Sequence, residues 1–187
     1  MKLIVGLGNP GEGYSETYHN VGFAALDILT ARLSARGFSF DKKSNSYLTD
    51  ITAGDKVLLC KPQTYMNLSG DAVSALARYY KIAPHDILVL YDDIDISKGV
   101  VRARLGGSAG THNGMRDIVA KLGSDGFARV RIGTGIKPNY MDLADYVLSR
   151  IPSGEKPLMD KAFAAACDFC AEWIEGKPWQ TLTVAVK

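Results

Sequence analysis

The chain has 187 residues, of which 47% are hydrophobic and 22% charged, enough to bury the core of one globular domain. It contains no run of eighteen apolar residues and no basic amino-terminal region leading into an apolar segment, which predicts a cytoplasmic protein with no membrane partner. Cys60, Cys167 and Cys170 form an odd set that argues against a secreted disulfide scaffold, and a net charge of +2 by itself selects no class of partner.

Lys2-Leu3-Ile4-Val5 is a short apolar run bounded by Gly6 and reads as a buried central strand. Gly6-Leu7-Gly8-Asn9-Pro10-Gly11 then breaks every regular pattern, so Asn9 falls just past a strand's carboxyl end. His19-Asn20 precedes Val21, Phe23, Ala24, Leu26, Ile28, Leu29 and Leu33, whose spacing predicts a helix that starts near the histidine. The glycine spacing also fits the dinucleotide fingerprint, but that motif opens its helix inside the glycine run. Here Pro10 to Gly13 delay the helix to about residue 20, and no acidic residue ends a second strand about 20 residues on.

After Gly37, Phe38 to Phe40 and Ser46 to Ile51 read as strands at a sheet edge, and Val57 to Cys60 as a buried strand ended by Lys61-Pro62. Val73, Leu76, Ala77 and Tyr80 predict a helix over 70–80, capped by Ser69 and stopped by Pro84. Ile87 to Leu90 is the second strongly buried strand and runs into Tyr91-Asp92-Asp93-Ile94-Asp95. Val100 to Leu105 and the run around Val130 and Ile132 alternate with arginines. Between them lie a glycine-rich loop, Gly106 to Gly114, and a short helix carrying Ile118, Val119 and Leu122. A brief helix over 142–148 and a longer one over 156–174 follow, then a short polar tail. Cys167-x-x-Cys170 falls in the longer helix and reads as core packing. Strands interleaved with helices predict an α/β fold: one domain over 1–187, a three-layer sandwich with a mixed, mostly parallel central sheet flanked by helices.

Eight basic residues against Asp117 and Asp125 give the segment 98–137 a local charge of +6, leaving −4 for the rest. A face fed by this segment attracts phosphate, although a merely solvated basic surface has the same composition. In a sheet of this class the functional crevice lies beyond the carboxyl ends of the parallel strands, where Asn9, Asn67 and Asp92 fall. His19 and Asn113 open helices or loops that are expected to face the same edge. No serine or cysteine sits in a nucleophile elbow, and His19, His85 and His112 lack metal-ligand spacing, so neither a covalent nucleophile, a metal nor a cofactor is expected. One histidine, one carboxylate and several carboxamides suit hydrolysis of an activated acyl bond such as an ester. A histidine near its ordinary pKa of ~6.5 takes a proton from water when a carboxylate orients it.

Gly6 to Gly11, Tyr14, His19-Asn20-Val21-Gly22, Lys61 to Gly70, Asp92 to Asp95 and Gly106 to Gly114 resemble the bacterial peptidyl-tRNA hydrolases, in order and at matching spacing. The resemblance implies a monomeric esterase that cuts the bond joining a peptide to the terminal ribose of tRNA and recognises the acceptor stem and 3′ end. It implies His19 as the base that activates water, Asp92 as its stabiliser, and Asn9 as the residue that separates N-blocked from free aminoacyl substrates. Tyr14, Tyr65, Asn67 and Asn113 would line the site for peptide and tRNA, with Arg104 and Arg131 toward tRNA phosphate. Two positions depart from the family pattern. Tyr18 stands where arginine is usual, which removes a charge beside His19. Thr111 stands where glycine is usual, which predicts a reshaped loop. The competing classes are an inert RNA-binding module on the same fold and a nucleotide-dependent oxidoreductase.

Overall fold

A computed structural model describes residues 1–179 and 181–187. Among the described residues, eight strands form one sheet. In chain order the elements are β1 (Lys2–Gly6), α1 (Val21–Arg32), β2 (Ser39–Asp41), β3 (Ser46–Ala53), β4 (Asp55–Pro62), α2 (Ser69–Tyr80) and β5 (Ile87–Asp93), followed by β6 (Val100–Arg104), α3 (Asn113–Leu122), β7 (Ala128–Gly133), α4 (Leu143–Val147), α5 (Lys156–Ile174) and β8 (Leu182–Ala185). The strand order is β2-β3-β4-β1-β5-β7-β6-β8.

Alternation along the strands divides the core into two layers. Ile4, Leu59, Leu88, Leu90, Val130 and Ile132 face α1 and α5, and meet Leu26, Leu29, Phe163, Ala166 and Trp173. Leu3, Val5, Leu58, Ile87, Val89 and Tyr91 face α2 and α3, and meet Val73, Leu76, Met115 and Ile118. This is the three-layer sandwich that interleaved elements predict. All three cysteines are buried and free, with Cys167 and Cys170 packed in the α5 layer.

The parallel part of the sheet is narrower than the strand pattern predicts. The parallel pairings are β1 with β4, β1 with β5, and β5 with β7. The pairings β2–β3, β3–β4, β6–β7 and β6–β8 are antiparallel. Apolar runs reveal that a segment is buried but carry no sign of its direction. The tail expected to be merely polar contributes β8, whose pairing with β6 covers an otherwise open sheet edge.

Two local signals act differently from expectation. Ser69 is buried and its hydroxyl donates to the Met66 carbonyl at 2.7 Å, so it ties down the preceding turn instead of capping α2. α2 ends before Pro84, at Lys81, which takes a left-handed φ of 55° and satisfies the last carbonyls.

All four central strands point their carboxyl ends at one edge, and the helix following β1 lies on the opposite face from the helix following β4. The switch at β1 opens the crevice. Gly22 lets α1 close onto it. A Cβ at Gly22 would collide with the Leu90 carbonyl and the Leu7 backbone, while the Phe23 amide donates to the Leu7 carbonyl at 3.1 Å. The Tyr18–Asn20 turn that precedes α1 is thereby held over the end of β5.

Candidate active site

One cavity of about 840 Å³ opens at this edge. Its lining includes Asn9, Tyr14, His19, Tyr65, Asn67, Asp92, Arg104, Asn113 and Arg131, the nine candidate site residues named from the sequence.

His19 Nδ1 lies 2.9 Å from both carboxylate oxygens of Asp92. An ionised carboxylate only accepts, so Nδ1 carries the proton and Nε2 keeps its lone pair. Asp92 is 2% exposed. Burial alone would push its carboxyl up, but the His112 and His19 rings bonded to it outweigh burial and hold it well below the usual carboxylate range. The carboxylate therefore stays ionised and keeps His19 in the proton-accepting tautomer.

His112 is the residue that sequence reading passed over. Its Nε2 lies 2.9 Å from Asp92 Oδ1, and its Nδ1 accepts the Met115 amide at 3.1 Å as the cap of α3. A backbone amide only donates, so the proton of His112 sits on Nε2 and points at the carboxylate. The only signal in the sequence was a histidine beside Asn113 at a helix start. The ligand atoms of His19, Asp92 and His112 lie within 4.8 Å of one another, close enough to hold a cation. The hydrogen bonds argue against that use. A cation would have to displace both ring protons and break the α3 cap, because His112 could then coordinate through Nε2 only with its proton moved to Nδ1.

Asn9 is 7% exposed and locked in place. Its Oδ1 accepts the Met66 amide at 2.8 Å, its backbone amide donates to Asn20 Oδ1 at 2.9 Å, and Asn20 Nδ2 donates back to the Asn9 carbonyl at 2.9 Å. With Oδ1 bonded to the Met66 amide, Asn9 has its Nδ2 protons to offer the cavity. Tyr14, on the Glu12–Tyr14 turn, is half-buried, whereas Tyr65, Asn67 and Asn113 are exposed to the cavity mouth.

The cations come from β6 and β7. Arg102 pairs in register with Arg131 and Arg104 with Arg129, and because Val101, Ala103, Val130 and Ile132 face α1 and α5, the arginines fall on the α3 side of the sheet. Arg131 Nε donates to Asp93 Oδ2, while Arg104 Nε is buried without a partner among the described residues. Arg129, also missed from the sequence, is 1% exposed. It donates to the carbonyls of Ser108 at 2.9 Å and Asp125 at 2.8 Å and lies over Phe127 at 4.6 Å, bracing the glycine-rich loop from below. Burial lowers its pKa, outweighing the opposing pull of Tyr91 and Asp125.

In that loop the left-handed backbone is taken by Gly107, at φ 134°, and Gly110, at φ 58°. Thr111 is not among the positive-φ residues, so its Cβ is accommodated without the strain its position predicts.

A family model described as peptidyl-tRNA hydrolase matches residues 3–186. The chain is 46% identical over 175 residues to a peptidyl-tRNA hydrolase of Geobacillus kaustophilus, covering 94% of each. To one of Chloroflexus aurantiacus it is 53% identical over 164 residues, covering 86% of each. The fold superposes with a TM-score of 0.88 on the crystal structure of peptidyl-tRNA hydrolase from Acinetobacter baumannii, at 38% identity and covering 94% of this chain and 89% of that one. With the fold, the sequence match and nearly full-length coverage in agreement, the chain belongs to the peptidyl-tRNA hydrolase family.

Proposed function

We propose that the protein hydrolyses the ester joining a peptide to the terminal ribose of tRNA, with His19 as general base. The observation that carries this reading is the His19–Asp92 pair: Nδ1 at 2.9 Å from both oxygens of a buried carboxylate leaves Nε2 unprotonated toward the cavity. His19 Nε2 takes a proton from water as the water oxygen attacks the ester carbonyl carbon. The negative charge that forms on the carbonyl oxygen is met by neutral N–H donors, supplied by the carboxamides of Asn67 and Asn113. As the tetrahedral intermediate collapses, the C–O bond to the ribose breaks. His19 returns its proton to the departing ribose oxygen, leaving a peptide acid and free tRNA. Asp92 stays ionised throughout and offsets the charge that His19 acquires.

Asn9 provides selection. Its Nδ2 protons pair with a carbonyl of an N-blocked peptide, whereas a free α-ammonium carries only donors and would face donors. Tyr14 and Tyr65 line the path of the peptide and the 3′ end. Arg104 and Arg131 attract acceptor-stem phosphates, with binding by shape and charge more than by base sequence. The reaction needs no cofactor or metal, and the reading is of a monomeric, cytoplasmic enzyme with one catalytic domain over 1–187.

Incubation with N-acetyl-aminoacyl-tRNA and its unblocked counterpart tests this. Rapid release of the blocked amino acid, little release of the free one, and loss of turnover in His19→Ala with tRNA affinity retained are the expected results. Binding of tRNA without cleavage would instead identify an inert RNA-binding module.

A further inference from the structure

α4 is five residues long, far short of the length at which a helix holds itself in water, so its position is set by what it touches. Leu143, Ala144 and Val147 of this helix, with Leu148 after it, line the cavity that holds His19 and Asp92. Tyr146 anchors the helix. Its ring stacks on Tyr18 with centroids 5.0 Å apart and planes 27° apart, and its hydroxyl donates to the Thr134 carbonyl at 2.6 Å.

Tyr18 precedes His19 directly and is 2% exposed. Its hydroxyl donates to Glu155 Oε2 at 2.6 Å, and Lys98 Nζ donates to Glu155 Oε1 at 2.7 Å while lying 5.1 Å from the Tyr18 ring centre. Burial and the neighbouring carboxylate push the Tyr18 hydroxyl up to about 12, so it remains a donor. The backbone reinforces the contact: the Tyr18 amide donates to the Ser149 carbonyl at 3.2 Å and the Ile151 amide to the Glu16 carbonyl at 2.9 Å.

From this juxtaposition we infer that Tyr18 is a positioning residue, which through its stack on Tyr146 fixes the apolar α4 wall relative to His19 and so governs how the cavity grips the uncharged, peptidyl part of the substrate. The wall residues carry no charge, while the cavity's cations come from β6 and β7, so the peptidyl part is the portion the wall suits. The inference rests on the hydrolase reading for its substrate but not for its clamp.

The test compares Tyr18→Leu and Tyr146→Leu, which remove the stack from either side, with Tyr18→Phe, which keeps the ring and loses the hydroxyl. Backbone hydrogen exchange over residues 143–148 and the kcat and KM for N-acetyl-aminoacyl-tRNA are measured for each. Loss of an aromatic stack predicts exchange about tenfold faster and KM about tenfold higher in both leucine variants, with kcat within about twofold of the parent. Tyr18→Phe is expected to fall between. Unchanged exchange in the folded leucine variants overturns the clamp, as does a fall in kcat at constant KM, which would mean that Tyr18 acts on His19 itself. Should Tyr18→Leu fail to fold, Tyr146→Leu reads the same stack. If the parent protein cleaves no blocked substrate, the hydrolase reading fails while the exchange rates still decide the clamp.

Discussion

His19 and His112 share one acceptor: Nδ1 of the first and Nε2 of the second each lie 2.9 Å from Asp92 Oδ1, with ring centroids 5.1 Å apart. The two rings nonetheless have different freedom. His112 is bonded at both nitrogens, to Asp92 and to the Met115 amide, whereas among the described residues His19 has only Nδ1 engaged. One ring is tied to the carboxylate alone, and the other is tied to the carboxylate and to α3.

Replacing His112 by Leu removes a helix cap and one of the bonds to a buried carboxylate. A missing cap costs about 0.5–2 kcal/mol, and an unsatisfied buried group about 1–3 kcal/mol more. Urea unfolding of His112→Leu is expected to show a loss of this order. Its kcat should fall, but less than that of His19→Ala, for which a drop of about 10²–10⁴ is expected.

Asp92 makes stability depend on pH. Its folded carboxyl is held below the ordinary carboxylate value of ~3.9, so as pH falls the unfolded chain takes up this proton first. The stabilisation is fully present above about pH 5 and is lost as pH drops below about 4 toward the depressed folded value. Urea unfolding from pH 3 to 7 should show a shallower acid limb in Asp92→Asn than in the parent protein.

Asn9 offers an acid test of selection. In Asn9→Asp one carboxylate oxygen still accepts the Met66 amide and the other presents an acceptor where Nδ2 stood. Cleavage of N-acetyl-aminoacyl-tRNA is expected to fall and that of free aminoacyl-tRNA to rise relative to it. A discrimination ratio unchanged from the parent would remove Asn9 from that role.

Arg104 and Arg131 differ in their partners, since Arg131 is already bonded to Asp93 while Arg104 Nε has none among the described residues. Arg104→Ala and Arg131→Ala should each raise KM for full-length substrate far more than for a short 3′ fragment. Each should also lower the slope of log affinity against log salt by about one. The larger effect is expected at Arg104, which has no internal carboxylate to compete with phosphate.

Gly22→Ala tests the seat of α1. The added Cβ would press on the Leu90 carbonyl and Leu7 backbone, atoms that cannot move independently of the sheet. A loss of about 1–3 kcal/mol in urea unfolding is expected. Turnover should fall as well, because the turn carrying His19 leads directly into this helix.

Most elements, and the residues that line the candidate site, were legible in the chain's local patterning. Apolar runs of four residues gave β1 and β5 their burial, and helical spacing of Leu158, Ala162, Ala166, Phe169 and Trp173 marked α5 at 156–174, the bounds seen in the fold. Asn9, Asn67 and Asp92 were legible because a polar residue just past a buried strand lies at the crevice edge of such a sheet. Tertiary structure alone decided strand direction, the seating of the tail as β8, and which groups touch. Strand direction depends on connections and not on composition, which is why the antiparallel flanks were invisible. His112, Arg129 and Tyr18 acquire their parts from partners outside their own elements: Asp92 for the first, the Ser108 and Asp125 carbonyls for the second, Glu155 and Tyr146 for the third. Local patterning encodes which face of an element is buried. Which nitrogen of a ring carries its proton is settled only when distant donors and acceptors are brought within hydrogen-bonding reach.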